Sequence, residues 1–370
     1  MKYFIIAGEA SGDLHASNLI KALKSKDMEA EFQFWGGNKM EEAANQTALK
    51  HIRDLAFMGF IEVVQNLSSI LRNIKLCKQQ ILDYKPDVLI LVDYPGFNLK
   101  MAKFAHQANL KVFYYISPKV WAWKQRRVIQ IKENVDRMFT ILPFETSFYK
   151  SYGVEVDYIG NPLMDAIEKH RMKKVEKLKL NDSRPIIALL PGSREQELKR
   201  IFPDMLKMVS YFPEHQFVVA ATKTLSEEIY SKLIGEIPVK MVYDKTYDVL
   251  DQAEAALVTS GTATLETALL NIPQVVCYKA NPASYTIAKN LVNIKYISLV
   301  NLIMNKEIVV ELIQHDLNQK LLKQELQAIL KDGVKREKVL ADYSEMRERV
   351  GGAGASERGA DLMIDYLRTK

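Results

Sequence analysis

Five short segments of this 370-residue sequence gather glycine, hydroxyl, carboxylate and cationic residues immediately after apolar runs. The first is Gly8-Glu9-Ala10-Ser11-Gly12-Asp13. Its glycines permit a tight turn and close backbone approach, and a helix opening there would offer free N–H groups to an anion. The plainer alternative is that Ser11 or Asp13 caps that helix. The spacing departs from G-x-G-x-x-G, which argues against dinucleotide binding. The second segment begins at Asp93 and continues Tyr94-Pro95-Gly96-Phe97-Asn98. A carboxylate there can open a turn or, partly desolvated, serve as a general base.

The third segment runs Ser117-Pro118-Lys119-Val120-Trp121-Ala122-Trp123-Lys124-Gln125-Arg126-Arg127 and holds two of the three tryptophans. Trp121, Trp123 and Arg126 could wall a sugar or phosphate site, or stack on single-stranded nucleic acid. The alternative is a helix that buries its tryptophans and solvates its charges. In the fourth, Leu190-Pro191-Gly192-Ser193-Arg194-Glu195-Gln196-Glu197, Ser193 and Gln196 have the spacing of a capping box. That leaves Arg194 opposing the helix dipole, a penalty that a bound pyrophosphate would reverse. The fifth, Thr259-Ser260-Gly261-Thr262-Ala263-Thr264-Leu265-Glu266, could cradle a diphosphate on Ser260, Gly261 and Thr262. Glu266 would then stand where a carboxylate accepts ribose hydroxyls, although a glutamate near a helix start is also ordinary dipole chemistry.

Loops of this kind need strands to present them. Apolar runs at 2–7, 31–35, 87–92, 111–116, 137–142 and 155–159 alternate with helical patterns such as 14–24 and 101–107, the pattern of βα units and a parallel sheet. Lysine density rises after Gly160-Asn161-Pro162, and a second series follows at 186–190, 216–221, 239–242, 255–258 and 274–278. The expectation is an α/β chain of two Rossmann-like domains facing across a cleft: residues 1–165, a linker at 166–184, residues 185–345, and a closing helix within 346–370 after Gly351-Gly352-Ala353-Gly354.

Composition narrows the function classes. An apolar fraction of 48% with 26% charged residues excludes a disordered or low-complexity chain. The formal charge of +6 is spread along the chain, which suits an anionic ligand or lipid surface without requiring nucleic acid. Two cysteines, Cys77 and Cys277, give neither a disulfide framework nor metal-ligand spacing, as in a cytoplasmic protein. No D-x-D pair offers a divalent-cation clamp and the six histidines lack ligand spacing, so no metal and no cofactor are expected. No run reaches the roughly 18 apolar residues of a spanning helix. Phe60, Ile61, Val63, Val64, Leu67, Ile70, Leu71 and Ile74 do fall on one helical stripe. It reads as core packing or, with Arg72, Lys75 and Lys78 beside it, as an interfacial helix on anionic lipid.

Taken in order, these loops resemble the lipid-A-disaccharide synthase family of glycosyltransferases. The resemblance covers essentially the whole chain and also rests on Met58-Gly59, Leu142-Pro143-Phe144-Glu145 and Ser298-Leu299-Val300-Asn301-Leu302. It implies the GT-B fold, with an acceptor-binding, membrane-facing N-domain, a UDP-sugar-binding C-domain and a C-terminal helix crossing back to the N-domain. It implies an inverting reaction of UDP-2,3-diacylglucosamine with 2,3-diacylglucosamine 1-phosphate, without metal, giving a β(1→6)-linked disaccharide and UDP. In that reading Asp93 is the leading base and Glu9 the reserve. Arg194, Ser260, Gly261, Thr262 and Glu266 bind UDP, while Gly8, Ser11, Gly12, Asp13, Trp121, Trp123, Arg126 and Asn301 meet substrate. Phe60, Val63, Val64, Leu67 and Leu71 contact the membrane, which places the protein peripherally on the inner face of a bacterial inner membrane. A homodimer is compatible with the sequence and not required by it. Two positions depart from the commoner family pattern: Asn161 replaces a frequent histidine, and Gly96 a frequent acid. The competing readings are a UDP-N-acetylglucosamine 2-epimerase of the same fold, which needs no lipid surface, and a polyanion-binding protein, for which no continuous basic face is evident.

Overall fold

The computed structural model describes residues 1–369 apart from 56–66, 124, 174–177, 179, 181, 283–284 and 287–293. Phe60, Val63 and Val64 of the proposed membrane stripe lie outside the described residues, as does the side chain of Leu67. The chain divides into two compact units, Met1–Pro162 together with Ala353–Lys370, and Leu163–Gly352.

The first unit is built on β1 (Lys2–Ala7), β2 (Glu31–Gly36), β3 (Lys50–His51), β4 (Val88–Val92), β5 (Lys111–Tyr115), β6 (Arg137–Thr140) and β7 (Asp157–Tyr158). Among the described residues they form one parallel sheet in the order β3-β2-β1-β4-β5-β6-β7. The second unit carries β8 (Ile186–Leu190), β9 (Gln216–Ala221), β10 (Val239–Tyr243), β11 (Ala253–Thr259), β12 (Gln274–Tyr278) and β13 (Glu311–Ile313), parallel in the order β10-β9-β8-β11-β12-β13. Helices on both faces explain why the central strands are apolar without alternation: every residue of β4 is fully buried, and β8 is buried throughout. Truncating any of these leucines to alanine would cost about 2–5 kcal/mol.

In both sheets the chain winds outward first one way and then the other. The reversal falls between β1 and β4 in the first unit and between β8 and β11 in the second. Loops leaving the carboxyl ends of those pairs part in opposite directions and leave a crevice, the place where ligands bind in such sheets.

The strands β3 and β13 were not evident in the sequence, because a two-residue and a three-residue edge strand have no apolar run to mark them. The run 137–142 stops as a strand at Thr140, since Leu142 becomes the N-cap of helix Pro143–Ser151. The closing helix, Ala355–Arg368, follows Gly351 and Gly354, whose φ values of 78° and 93° reverse the chain. It packs in the first unit. Arg358 donates to the Ile159 carbonyl at 2.8 Å, Tyr366 to Asp157 at 3.1 Å, and Gly359 lies against the Tyr115 ring.

Candidate functional site

The first crevice brings together the loops after β1 and β4. Helix Ala10–Lys26 begins inside the glycine segment, with Glu9 at its N-cap and no side-chain cap, so neither Ser11 nor Asp13 caps it. Ser11 is exposed within its first turn. Gly8 must be glycine: a Cβ there would stand 2.3 Å from the Tyr94 ring, which lies directly over it. Gly12 packs closely against Ala7 and Val92.

Opposite, Asp93 and Tyr94 adopt φ values of 42° and 48°, and Ile116, at the end of neighbouring β5, a φ of 67°. Left-handed backbone is costly for non-glycine residues and most of all for a β-branched one. It persists here because the Asp93 carbonyl is held by Asn98 Nδ2 at 2.7 Å and by the Tyr114 hydroxyl at 2.6 Å. The Asp93 carboxyl is pushed up to about 6, first by burial and then by the charge of Glu9; Lys119 and the Tyr94 N–H act in the opposite direction. A half-buried carboxyl with that affinity for protons suits a general base at neutral pH. Tyr94, Asn98, Tyr114 and Lys119 were missed as site residues.

Several expected ligand contacts prove to be internal. Asp13 is buried, and its carboxylate accepts from the backbone N–H groups of Gly37 at 2.7 Å, Lys39 at 3.1 Å and Met40 at 3.1 Å. It caps another helix, Asn38–Ala44, and has no face left for substrate. Trp121 is also buried; its indole donates to Glu145 Oε1 at 3.1 Å and its ring stands edge-on to Phe144. The tryptophan segment therefore splits: Trp121 is core, whereas Trp123 is 47% exposed and Arg126 is exposed. Glu145 is fully enclosed, and burial pushes its carboxyl up to about 7 against hydrogen bonds from Leu142, Ser117, Ile141 and Trp121. Asn161 is buried and donates to the Ile141 carbonyl at 3.1 Å.

In the second unit the crevice loops are those after β8 and β11. Helix Glu195–Leu206 starts one turn position later than a Ser193–Gln196 capping box requires, with Arg194 at the N-cap. Arg194 is exposed and paired with Glu197 at 3.1 Å, which offsets the dipole penalty that the sequence left unexplained. So exposed a pair is readily exchanged for another anion. Gly261, at φ 155° and ψ −159°, occupies a region open essentially to glycine alone. It introduces helix Thr262–Leu269, whose first N–H groups have no intrahelical partner. The Ser260 hydroxyl is committed to the Ile297 carbonyl at 3.0 Å, so it shapes the loop. Between the two loops the buried Thr259 hydroxyl lacks a partner among the described residues, with Gly192 beside it.

Glu266 is largely buried, which raises its carboxyl pKa, and Oε1 accepts from the Tyr247 hydroxyl at 2.7 Å. Asn301 is wholly enclosed and its amide fully engaged. Nδ2 donates to Val309 O at 2.8 Å and Glu311 Oε1 at 2.9 Å, while Oδ1 accepts from Ile308 and Val309 N–H. It pins the loop before β13 and is not placed to touch a substrate. Among the described residues no cluster of His, Cys, Asp and Glu could hold a metal ion, and no helix is long and apolar enough to cross a membrane.

Solved structures with this architecture include a putative UDP-N-acetylglucosamine 2-epimerase from Listeria monocytogenes, with TM-score 0.67, 12% identity, and coverage of 100% of this chain and 97% of that one. The glycotransferase of kitacinnamycin also has TM-score 0.67, at 13% identity, covering 99% and 98%. The protein thus has the GT-B fold that glycosyltransferases and such epimerases share, two parallel-sheet α/β units in one chain. Identities this low do not choose between those activities; full-length relatives do. Residues 3–361 match the lipid-A-disaccharide synthetase family. The lipid-A-disaccharide synthases of Trichlorobacter lovleyi and Syntrophus aciditrophicus are 37% and 38% identical, covering 99% and 98% of this chain and 97% of each relative. The chain belongs to the lipid-A-disaccharide synthase family and is a glycosyltransferase.

Proposed function

We propose that this protein joins UDP-2,3-diacylglucosamine to 2,3-diacylglucosamine 1-phosphate, with Asp93 as the base. The acceptor 6-hydroxyl oxygen forms a bond to the donor's anomeric carbon as its proton passes to Asp93, and the bond from that carbon to the diphosphate oxygen breaks, releasing UDP. One displacement inverts the α-linked donor to a β(1→6) product. The observation that carries this reading is the strained, half-buried Asp93 at the switch of the first sheet, its proton affinity raised by burial and by Glu9. The first unit would take the acceptor, with Ser11, Trp123 and Arg126 at its edge, while Gly8, buried beneath the Tyr94 ring, shapes the loop.

The second unit would take UDP. Arg194 exchanges Glu197 for the diphosphate, the amides following Gly261 add the field of a helix N-terminus, and Glu266 meets the ribose. Charge developing on the leaving diphosphate is answered by these fixed groups. The test is UDP release. Release from the acylated donor only when the acylated sugar phosphate is also present supports the transferase, whereas turnover of UDP-N-acetylglucosamine alone would sink it.

Both substrates carry acyl chains held in a bilayer, so we place the protein at the cytoplasmic face of the inner membrane. In helix Leu67–Tyr84, Leu71, Leu76 and Leu82 are exposed, alongside exposed Arg72 and Lys75, while Cys77 and Ile81 face the core. An apolar and basic face of this kind suits an anionic bilayer surface. Leu71→Asp is expected to weaken co-sedimentation with phosphatidylglycerol-containing vesicles several-fold without lowering Tm, because Leu71 is 57% exposed. Undiminished co-sedimentation would move the contact off this helix.

A further inference from the structure

Tyr247 lies in the short helix Thr246–Leu250 after β10, a segment with no glycine-rich loop and no motif to commend it. Its hydroxyl reaches the helix after β11 and donates to Glu266 Oε1 at 2.7 Å. Its ring is held edge-on by His170, with ring centroids 5.3 Å apart and planes at 78°. His170, near the end of helix Pro162–Arg171, is itself fixed by Asp251 Oδ2 at 2.6 Å from Nε2. A chain of three side chains, Asp251, His170 and Tyr247, thus ends on one oxygen of the Glu266 carboxylate. The other, Oε2, has no partner among the described residues.

We infer that Tyr247 is the positioning residue that aims Glu266 at the nucleotide's ribose, and so sets the enzyme's preference for a ribonucleoside diphosphate over its deoxy counterpart. This rests on the reading of Glu266 as the ribose acceptor. Chemistry supports a positioning role. An ionised carboxylate accepts from a ribose hydroxyl more strongly than a protonated one, and burial works against the ionised form of Glu266 while the Tyr247 hydroxyl favours it. The phenol is held protonated by its own burial and by Glu266, so toward the carboxylate it is the donor. By occupying Oε1 it leaves Oε2 as the oxygen presented to a ligand, where two free oxygens would permit several poses. The Asp251–His170 pair keeps the ring from turning away.

The test is calorimetric binding of UDP, 2′-deoxy-UDP and 3′-deoxy-UDP to the full-length protein, its Tyr247→Phe variant and its Glu266→Gln variant. The parent should bind at least one deoxy analogue about tenfold more weakly than UDP, the worth of a hydrogen bond to a charged group. In Tyr247→Phe, which keeps the ring against His170, the UDP Kd should rise by about the same factor while the Kd of that analogue barely moves, so the ratio falls toward one. The donor KM should rise with UDP's Kd, and kcat at saturating donor should change less. A preserved ratio in Tyr247→Phe, with the ratio lost in Glu266→Gln, overturns the inference and leaves the ribose reading intact. A preserved ratio in Glu266→Gln overturns the ribose reading itself. Should Tyr247→Phe fail to fold, His170→Ala provides the second measurement: it frees the ring and is expected to shrink the ratio, and an unchanged ratio counts against the inference.

Discussion

Asp93→Asn is expected to lower kcat by about 10²- to 10⁴-fold, the usual worth of a positioned base, while UDP binding in the second unit stays within about twofold of the parent. The pH profile gives a sharper test than the loss itself. With the Asp93 carboxyl at about 6, the parent's activity should fall as pH drops through that value, because protonation removes the acceptor. Glu9→Gln removes the second of the two influences that raise Asp93, so it should keep most of the activity and move the acid limb to lower pH. If Glu9→Gln abolished turnover while Asp93→Asn remained active, the roles would be reversed. Stability should move the opposite way from activity. Asp93 binds its proton more tightly folded than unfolded, a contribution fully present below the unfolded value near 3.8 and lost as pH rises through about 6. At pH 7.5 the ionised carboxyl therefore costs stability. Asp93→Asn should raise Tm there, with the gain shrinking toward pH 4. A Tm difference that grows on acidification would contradict this.

The second large effect is expected at Asp13, and in stability. Helix Asn38–Ala44 has only seven residues and would be marginal alone. Its neighbour Ala10–Lys26 supplies both of its ends: Asp13 accepts from three N–H groups at its start, and Lys24 donates to the Ala43 and Ala44 carbonyls at 3.0 and 2.7 Å at its finish. Asp13→Ala leaves two buried donors and one partly buried donor unmet, a loss of about 2–4 kcal/mol. For a unit of this size that lowers the unfolding midpoint by roughly 5–12 °C. Asp13→Asn, which retains one acceptor, should fall between. The measurement is thermal unfolding followed by circular dichroism. An unchanged midpoint with a raised acceptor KM would return Asp13 to the substrate.

Asp13 also illustrates what could and could not be read from the sequence. The loops after β1, β4, β8 and β11 were visible because a doubly wound sheet puts its crevice after particular strands, and because glycine, hydroxyl and acid residues interrupt apolar runs there. Their internal division of labour was not visible. Whether a buried polar residue serves a ligand or the fold depends on partners far along the chain: Asp13 on Gly37, Trp121 on Glu145, Asn301 on Val309 and Glu311. Local pattern contains none of these distances. The same reason hid Tyr247, whose significance comes wholly from Glu266 and His170. The sequence marks Arg194 as the odd cation of its loop, and in the structure Glu197 answers its charge, while the capping position that the spacing gives to Ser193 falls one residue later, at Arg194.

The closing helix has a consequence for how the molecule comes into being. Residues 353–368 complete the first unit, yet the ribosome makes them after the whole of the second. A nascent chain can therefore finish its second unit while the first still exposes the apolar side of β5 and β6, the surface that Met363, Ile364 and Tyr366 will cover. The order of synthesis and the order of completion run in opposite directions, and the half of the molecule translated first is the one that waits. Apolar surface left exposed in that way favours aggregation until the helix docks. The Tyr366 and Arg358 anchors of that helix can accordingly form only after the second unit has been synthesised.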